Sequence, residues 1–313
     1  MNREPPTIVV LGDVIADVVV HLRAPFARGS DTRATIQTRP GGSGANQAAW
    51  LASLGLEVHL VGRIGVDALG REQAEALRAA RVVPHLATDP RLPTGVVTVL
   101  VDPDGERSML SDRGANLGLR TDDLPNDLFR PGRHLHLSGY ALFEPSTRPA
   151  ALTALRLARE HGMTCSVDPG SASFLEEAGA ASFLAWTGGV ALCFPNLDEG
   201  QVLSGERDPA AVAQTLTRSY GAVALKLGAG GAIWARAGEP IVARAAEPAP
   251  AVVDTTGAGD AFCAGFLARW LAGADPADAL HAGLRHAARA LTQLGGRPPH
   301  PATSPPHRAA PAT

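Results

Sequence analysis

Cysteine, aromatic residues, long hydrophobic runs and lysine are all scarce in this chain, and each scarcity excludes something. The three cysteines, Cys165, Cys193 and Cys263, leave one over in any pairing and sit among apolar neighbours. They read as reduced core residues of a cytoplasmic protein, not as a disulfide frame. No stretch approaches the roughly 18 apolar residues of a membrane helix. The opening MNREPPTIVVLGDVIADVVV reads as a strand, because Gly12, Asp13 and Asp17 interrupt what would otherwise resemble a signal peptide. An excess of one charge is missing too: 28 basic and 31 acidic residues are spread along the chain for a net −3. That balance offers no footprint for nucleic acid or for an anionic membrane, so any acidic ligand must be gripped locally. Lysine occurs once, at Lys226, and every other basic residue is arginine. Either coding bias left a chance survivor, or Lys226 stands where a compact ammonium fits and a planar guanidinium does not.

What is present suits a large core. Of 313 residues, 45% are hydrophobic and 19% charged, enough to fold without disulfide or metal. Strand-like runs at Ile8 to Leu11, Glu57 to Arg63, His134 to Ser138, Thr164 to Asp168, Val190 to Phe194 and Ala222 to Leu227 alternate with Ala/Leu-rich helical segments. The helical segments are Gly44 to Leu54, Ala68 to Ala80, Arg148 to His161, Ser171 to Leu184, Glu199 to Leu203 and Pro209 to Tyr220. This rhythm predicts a mostly parallel sheet with helices on both faces and ligands beyond the carboxyl ends of its strands. Residues 18 to 39 and 94 to 112 break the rhythm with strands and no helix, and the second stretch carries a DPDG hairpin signal. They predict a small β lid, with an edge extension of the main sheet as the alternative. One domain over 1 to 297 is expected, followed by a Pro/Ala-rich disordered tail at 298 to 313.

The most informative segment is DTTGAGD at 254 to 260, which follows the apolar run Ala251, Val252, Val253 and opens an apolar helix from Ala261 to Leu271. Glycines admit backbone N–H groups close to a ligand, and a helix N-terminus offers unpaired donors to phosphate oxygens. Asp260, in the first helical turn, is placed to take the proton of a hydroxyl that attacks such a phosphate. A plain strand-to-helix turn is the competing explanation for this loop taken alone. A second glycine turn, PGGSGAN at 40 to 46, puts Gly41, Gly42 and Asn46 where they can meet a polar ligand. Asp17, with Asp13, is expected at the end of the first strand, as carboxylates that hold sugar hydroxyls.

Taken jointly, GDVIAD, GGSGANQAA, PNLDEG, KLGAGG and DTTGAGDAF resemble the ribokinase-like (phosphofructokinase-B) family of carbohydrate kinases across residues 7 to 296. GGSGANQAA and DTTGAGDAF look like its two signature regions, about 210 residues apart. The resemblance implies a three-layer α/β/α domain with a mostly parallel central sheet and a small β lid over the sugar. It implies Asp260 as the catalytic base and the amides of Gly257, Ala258 and Gly259 as the anion hole. Asp17, Gly41, Gly42 and Asn46 match sugar-binding positions. Asn196 and Glu199 correspond to an Asn-x-x-Glu element that organises magnesium and phosphate through water. Lys226, Gly228, Gly230 and Gly231 fall in the loop that cups the nucleotide. Asp254 and the backbone of Thr256 match positions that in some members hold a monovalent cation, potassium being the candidate.

The activity implied is ATP-dependent phosphorylation of a hydroxyl on a small sugar or sugar derivative, of the ribose, fructose or 2-keto-3-deoxygluconate class. Ribokinase itself carries lysine where Ser43 stands, asparagine where Ile15 stands and glutamate near Tyr140, so ribose is not the assured acceptor. Arg113 or Asn116 is placed to enter the sugar pocket, where a cation suits an acidic or keto sugar. A nucleoside kinase of the same fold is the nearest alternative, although an aromatic share of 4% leaves few walls for a base. A non-catalytic sugar-responsive binding protein is the third reading. His134 and His136 alternate on one strand like a ligand pair but lack a third ligand nearby; Asp168 ends a strand in DPG, where it could approach the cleft, and a turn or helix-stop role is the favoured reading. Exposed lid strands invite a homodimer.

Overall fold

The computed structural model describes residues 6–104, 106–248 and 252–299. The expected tail lies outside them except for Pro298 and Pro299. The chain opens with β1 (Thr7–Leu11), β2 (Ile15–Leu22), β3 (Ala34–Gly41), α1 (Ser43–Ser53), β4 (Glu57–Gly65), α2 (Ala68–Ala79), β5 (Val83–Asp89), β6 (Gly95–Val101) and β7 (Arg107–Asp112). It continues through β8 (His134–Ser138), α3 (Tyr140–Phe143), α4 (Arg148–Glu160), β9 (Thr164–Asp168), α5 (Ala172–Ala178), α6 (Ala180–Thr187), β10 (Leu192–Cys193), α7 (Leu197–Ser204) and α8 (Pro209–Leu216). Last come β11 (Val223–Lys226), β12 (Ala232–Ala235), β13 (Val242–Arg244), α9 (Ala258–Leu271) and α10 (Pro276–Ala290).

Nine strands form one sheet in the order β13-β12-β11-β10-β9-β8-β1-β4-β5. All its pairings from β5 to β11 are parallel, and β12 and β13 close the edge antiparallel. Side chains alternate between two cores. Val9 and Leu11 pack with Ala154, Leu155, Phe183 and Val212 from the helices between α4 and α8. Ile8 and Val10 pack with Trp50, Leu77, Phe266 and Leu280 from α1, α2, α9 and α10. Burial on both faces is why these strands read as apolar runs instead of alternating patterns. The three-layer α/β/α expectation holds.

Local departures have local causes. The helix expected over Ser171 to Leu184 is two, because Gly179 takes φ +83° between α5 and α6. The strand expected over Val190 to Phe194 shrinks to Leu192–Cys193. Val252 and Val253 are exposed coil and form no strand before DTTGAGD, and Ala251 lies outside the described residues. Asp17 lies within β2, not at the end of β1.

β2, β3, β6 and β7 make a separate four-stranded sheet, order β3-β2-β6-β7, which removes the edge-extension alternative. The DPDG turn closes on Asp102, whose Oδ1 accepts from the amides of Asp104 and Glu106. Two side chains tie this sheet to the main domain. Asn116 Oδ1 accepts from Val14 N, and its Nδ2 donates to Val14 O, both at 2.9 Å. Asp67 caps α2 through Gly70 N and also accepts from Thr94 N and Thr94 Oγ1, each at 2.7 Å, just before β6. Asp67→Ala removes the cap and this tie together and is expected to cost about 1–2 kcal/mol, measured by urea denaturation.

Candidate active site

The carboxyl ends of the parallel strands converge on one cavity. β1 ends at Leu11, and Gly12 and Asp13 follow. A Cβ on Gly12 would come within 2.7 Å of Gly44 Cα, so the glycine pair lets α1 press onto the strand end. Asp13 then anchors that helix: its Oδ1 accepts from Gly44 N and its backbone oxygen from Ala45 N. Docked this way, the first turn of α1 meets the first turn of α9. Ser43 Oγ donates to Asp260 Oδ1 at 2.8 Å and Asn46 Nδ2 to Asp260 Oδ2 at 3.0 Å. Asn46 is therefore brought to Asp260, and Ser43, which sequence reasoning noted only as a missing lysine, is the second partner of that carboxylate.

Asp260 is buried on the floor of a cavity of about 200 Å³, with Ser43, Tyr140, Asp168, Asn196, Glu199, Lys226, Gly257 and Gly259 among its walls. Burial, reinforced by the charge of Asp168, pushes its carboxyl from 3.8 up to about 8 against the hydrogen bonds of Asn46 and Ser43. Gly257 caps α9 in the left-handed region at φ +75°, and a Cβ there would run into the Gly296 backbone. Ala258 N donates to Thr255 O at 3.4 Å, a weak turn contact.

Across the cavity, Asn196 caps α7 and forms a capping box with Glu199. Glu199 Oε2 accepts from Asn196 N and Oε1 from Asn196 Nδ2. Burial raises Glu199 to about 7, with Lys226 opposing and Asp168 reinforcing the shift. Asp168 is the clearest correction to the sequence reading. It is no simple turn residue: 4% exposed, it lines the cavity and pairs with Lys226 Nζ at 3.0 Å. Its place at the end of a buried parallel strand, where ligands collect, outweighs the DPG turn signal that the sequence reading favoured. Burial alone would lower Lys226, but Asp168, with Cys263 and Glu199, raises it overall and keeps the ammonium charged.

On the lid side, Gly12, Asp13, Arg113, Asn116 and Tyr140 line a narrow crevice. Arg113 lies 3.7 Å from Asp13 Oδ2 and stacks 4.8 Å from the Tyr140 ring centre. Of the two candidates Arg113 and Asn116, Asn116 is committed to the backbone of Val14 and Arg113 faces the crevice. Tyr140 also walls the 200 Å³ cavity, and its hydroxyl donates to Gly170 O. Asp17 is buried against Gly41, where a Cβ would strike its carboxylate. Burial and then Asp13 raise Asp17 to about 7, with Arg297 opposing. Gly42 caps α1 at φ +88°, with no room for a Cβ beside Asp13 O. Arg297, expected only as the end of the domain, is buried and donates to Gly41 O and Gln73 Oε1.

Beyond α9 opens a larger pocket of about 640 Å³, mostly apolar, with Gly228, Gly231, Phe262, Leu284 and Leu291 in its walls. Gly228 and Gly231 both take positive φ, and Gly230 lies in the turn between them. Asp254 is buried beside this pocket, where Oδ1 accepts from Thr256 N and Oδ2 from Gly295 N, closing the motif onto the C-terminal loop. His134 and His136 do share a face, but Ser166 Oγ bridges them and Gln47 takes the far nitrogen of His136. Burial lowers both to about 3, so they are neutral core residues. Among the described residues, no helix is long and apolar enough to cross a membrane.

The cavity that holds Asp260 shares Tyr140 with the lid-side crevice and Lys226 and Gly259 with the apolar pocket, so it links the two. Residues 6–303 match the pfkB family carbohydrate kinases, and the chain belongs to that family, whose members transfer a phosphoryl group to sugar hydroxyls. Ribokinase of Arabidopsis thaliana is 30% identical over 284 residues, covering 87% of this chain and 73% of that protein. Among solved structures, adenosine kinase from Sinorhizobium meliloti superposes with a TM-score of 0.85 at 25% identity, covering 94% and 96% of the two chains. Fructokinase from Vibrio cholerae O395, bound to fructose, ADP and calcium, gives 0.80 at 26% identity, covering 93% and 94%.

Proposed function

We propose that the protein transfers the γ-phosphoryl group of ATP to a hydroxyl of a small sugar or sugar derivative, with Asp260 as general base. The observation that carries this reading is the position of Asp260, in the first turn of α9 in the cavity that links the lid-side crevice to the apolar pocket, with its carboxyl raised to about 8. A base poised near working pH takes the acceptor proton as the O–P bond forms. The nucleotide base lies in the 640 Å³ apolar pocket, cupped by the loop of Gly228, Gly230 and Gly231. The amides of Gly257 to Asp260 receive the charge of the transferring group, since first-turn N–H groups have no partner within their own helix. The acceptor lies between the lid sheet and Asp260, with Asp13, Asp17, Arg113, Asn46, Tyr140 and the Gly41–Gly42 turn about it. A fructokinase that binds both fructose and ADP supports a site for two substrates, and the charged side chains of Asp13 and Arg113 in the crevice favour a sugar over a nucleoside.

Magnesium fits the cavity through water. Asp168, Glu199 and Asp260 supply hard oxygen donors there, while among the described residues no three His, Cys, Asp or Glu side chains form a ligand set. Glu199, with both oxygens already accepting from Asn196, retains lone pairs for water. Bound magnesium would offset charge on the nucleotide phosphates. Asp254 and Thr256 are the candidate place for a potassium ion, and the lid sheet is the candidate surface for a homodimer.

The test is ADP release with ATP and magnesium against ribose, fructose, 2-keto-3-deoxygluconate, other hexoses and nucleosides, with and without potassium. One or more sugars should stimulate turnover at least about tenfold over the water background, since acceptor binding completes the site. Stimulation by nucleosides alone would move the reading to a nucleoside kinase. No stimulation by any acceptor would leave a sugar-responsive binding protein.

A further inference from the structure

We propose that Lys226 is a catalytic residue that leaves Asp168 for the γ-phosphoryl group when ATP binds, and that Asp168 is the fixed post to which it returns after transfer. The proposal rests on the kinase reading above and assigns the cation that works within it. Sugar phosphorylation forms a bond between the acceptor oxygen and Pγ and breaks the bond from Pγ to the β–γ bridging oxygen. The acceptor proton goes to Asp260 and ADP leaves with the bridging oxygen. Lys226 takes no part in the covalent change; its charge follows the phosphoryl oxygens.

Position is the first argument. Lys226 and Gly259 are the two residues that line both the 200 Å³ cavity and the 640 Å³ pocket. A nucleotide with its base in the larger pocket and its γ-phosphate at Asp260 must pass its phosphates between them. A Cβ built on Gly259 would lie 3.5 Å from Lys226 Nζ, so the ammonium hangs over the first turn of α9. The cavity otherwise presents three carboxylates, Asp168, Glu199 and Asp260, to an incoming polyanion.

The second argument is the contrast in freedom between the partners. Asp168 is clamped. Its Oδ2 accepts from Gln47 Nε2 at 2.7 Å, and Gln47 Oε1 meets His136 Nε2 at 2.9 Å. His136 Nδ1 meets Ser166 Oγ at 2.7 Å, and Ser166 Oγ meets His134 Nε2 at 2.7 Å. A carboxylate only accepts, so Gln47 turns its amide NH₂ to Asp168 and its carbonyl to His136, which then carries its proton on Nε2. Ser166 donates to His136 Nδ1 and accepts from His134. Every member of this chain is buried and neutral, and it has one consistent direction, so Asp168 is held like a bracket.

Lys226 is fixed at its backbone, and its side chain beyond that is held by one ion pair. Its amide donates to Pro195 O at 2.8 Å, and the residue pairs with Ala232 in β12. Above that, four methylenes end in an ammonium with an ion pair to Asp168 and a long 3.9 Å contact to Cys263 Sγ. A flexible stem with a compact charge can pivot by a few ångströms, whereas a planar guanidinium at the same place would fork onto Asp168 and stay. That difference accounts for lysine at this position in a chain whose other basic residues are all arginine.

The experiment compares equilibrium binding of a non-hydrolysable ATP analogue and of ADP in Lys226→Met, Lys226→Arg, Asp168→Asn and the double variant Lys226→Met/Asp168→Asn. Lys226→Met should weaken the ATP analogue about tenfold, leave ADP within about twofold and lower kcat about 10²–10³-fold, as for loss of one preorganised transition-state donor. Asp168→Asn, which releases the ammonium, should tighten the ATP analogue about two- to fivefold, the size of a modest coupling. Lys226→Arg should keep the fold and show part of the loss. The double variant, in which neither half of the Lys226–Asp168 ion pair is left without its partner, keeps the measurement available if Lys226→Met fails to fold. An unchanged ratio of ATP-analogue to ADP affinity in Lys226→Met or the double variant overturns the proposal and leaves a structural ion pair. These readouts need no turnover, so they stand apart from the acceptor panel that tests the kinase reading.

Discussion

Asp260→Asn should lower turnover about 10²–10⁴-fold, the usual contribution of a positioned general base, while nucleotide affinity stays near normal. Asparagine keeps the size of the side chain and can still meet Ser43 and Asn46, so the helix start and its glycines should hold their shape. In the unaltered protein, kcat/KM should rise with pH and level off above about 8, because the base works only when deprotonated and burial raises its carboxyl to that value. A flat profile from pH 6 to 9, or a variant within tenfold of normal turnover, removes the base assignment.

The same group predicts a stability effect of opposite sign. The folded-state value of Asp260 lies above its ordinary value of 3.8, so the folded protein binds this proton more tightly than the unfolded chain. Its contribution to stability is therefore greatest below about 4 and is lost as pH rises through about 8. Asparagine carries no such cost. Asp260→Asn should melt higher than the unaltered protein at pH 8 to 9, and the gap should narrow toward pH 5. A variant that is less active and more stable is the signature of a carboxylate kept for chemistry at the expense of the fold.

Gly257→Ala should have the second large effect. Alanine at φ +75° costs about 1–2 kcal/mol for the left-handed backbone alone, and its methyl would collide with the backbone of Gly296. Backbone cannot swing aside as a side chain can. The start of α9 must shift, taking the first-turn amides out of line, so turnover should fall by about 10²-fold or more. Gly259→Ala is the informative contrast. Its φ is not positive and its Cβ meets only Lys226 Nζ at 3.5 Å, so urea denaturation should register little change. If both variants unfold at the same urea concentration, the close approach of Gly257 to Gly296 does not shape the loop.

Much of this was legible before folding. Parallel strands buried on both faces announce themselves as apolar runs, and glycine turns that open helices announce backbone brought near a ligand. The lid strands and the placement of Asp260 in a first helical turn follow from local pattern, whereas Asn196 and Glu199 were paired only through the family resemblance and the structure shows them as a capping box. Glu199 three residues after Asn196 is itself a helix-start signature. Where reading failed, the determinant was distant. Asp168 looked like a turn residue because its partners, Lys226, Gln47 and Cys263, stand 58, 121 and 95 positions away. Ser43 looked like a loss because its role exists only once α1 meets α9, 217 positions on.

The sequence by itself determined the layer order, the lid and the two glycine turns that open helices, because each depends on periodicity or on backbone freedom within a few residues. Only the tertiary structure decided which charges share the cavity. It set Asp260 near neutral pH by burial beside Asp168, and it placed Lys226 on the boundary between the two pockets. Burial and long-range charge have no local signature: a carboxylate shifts by what packs against it, and the chain brings those groups together only when the sheet and both helical layers close.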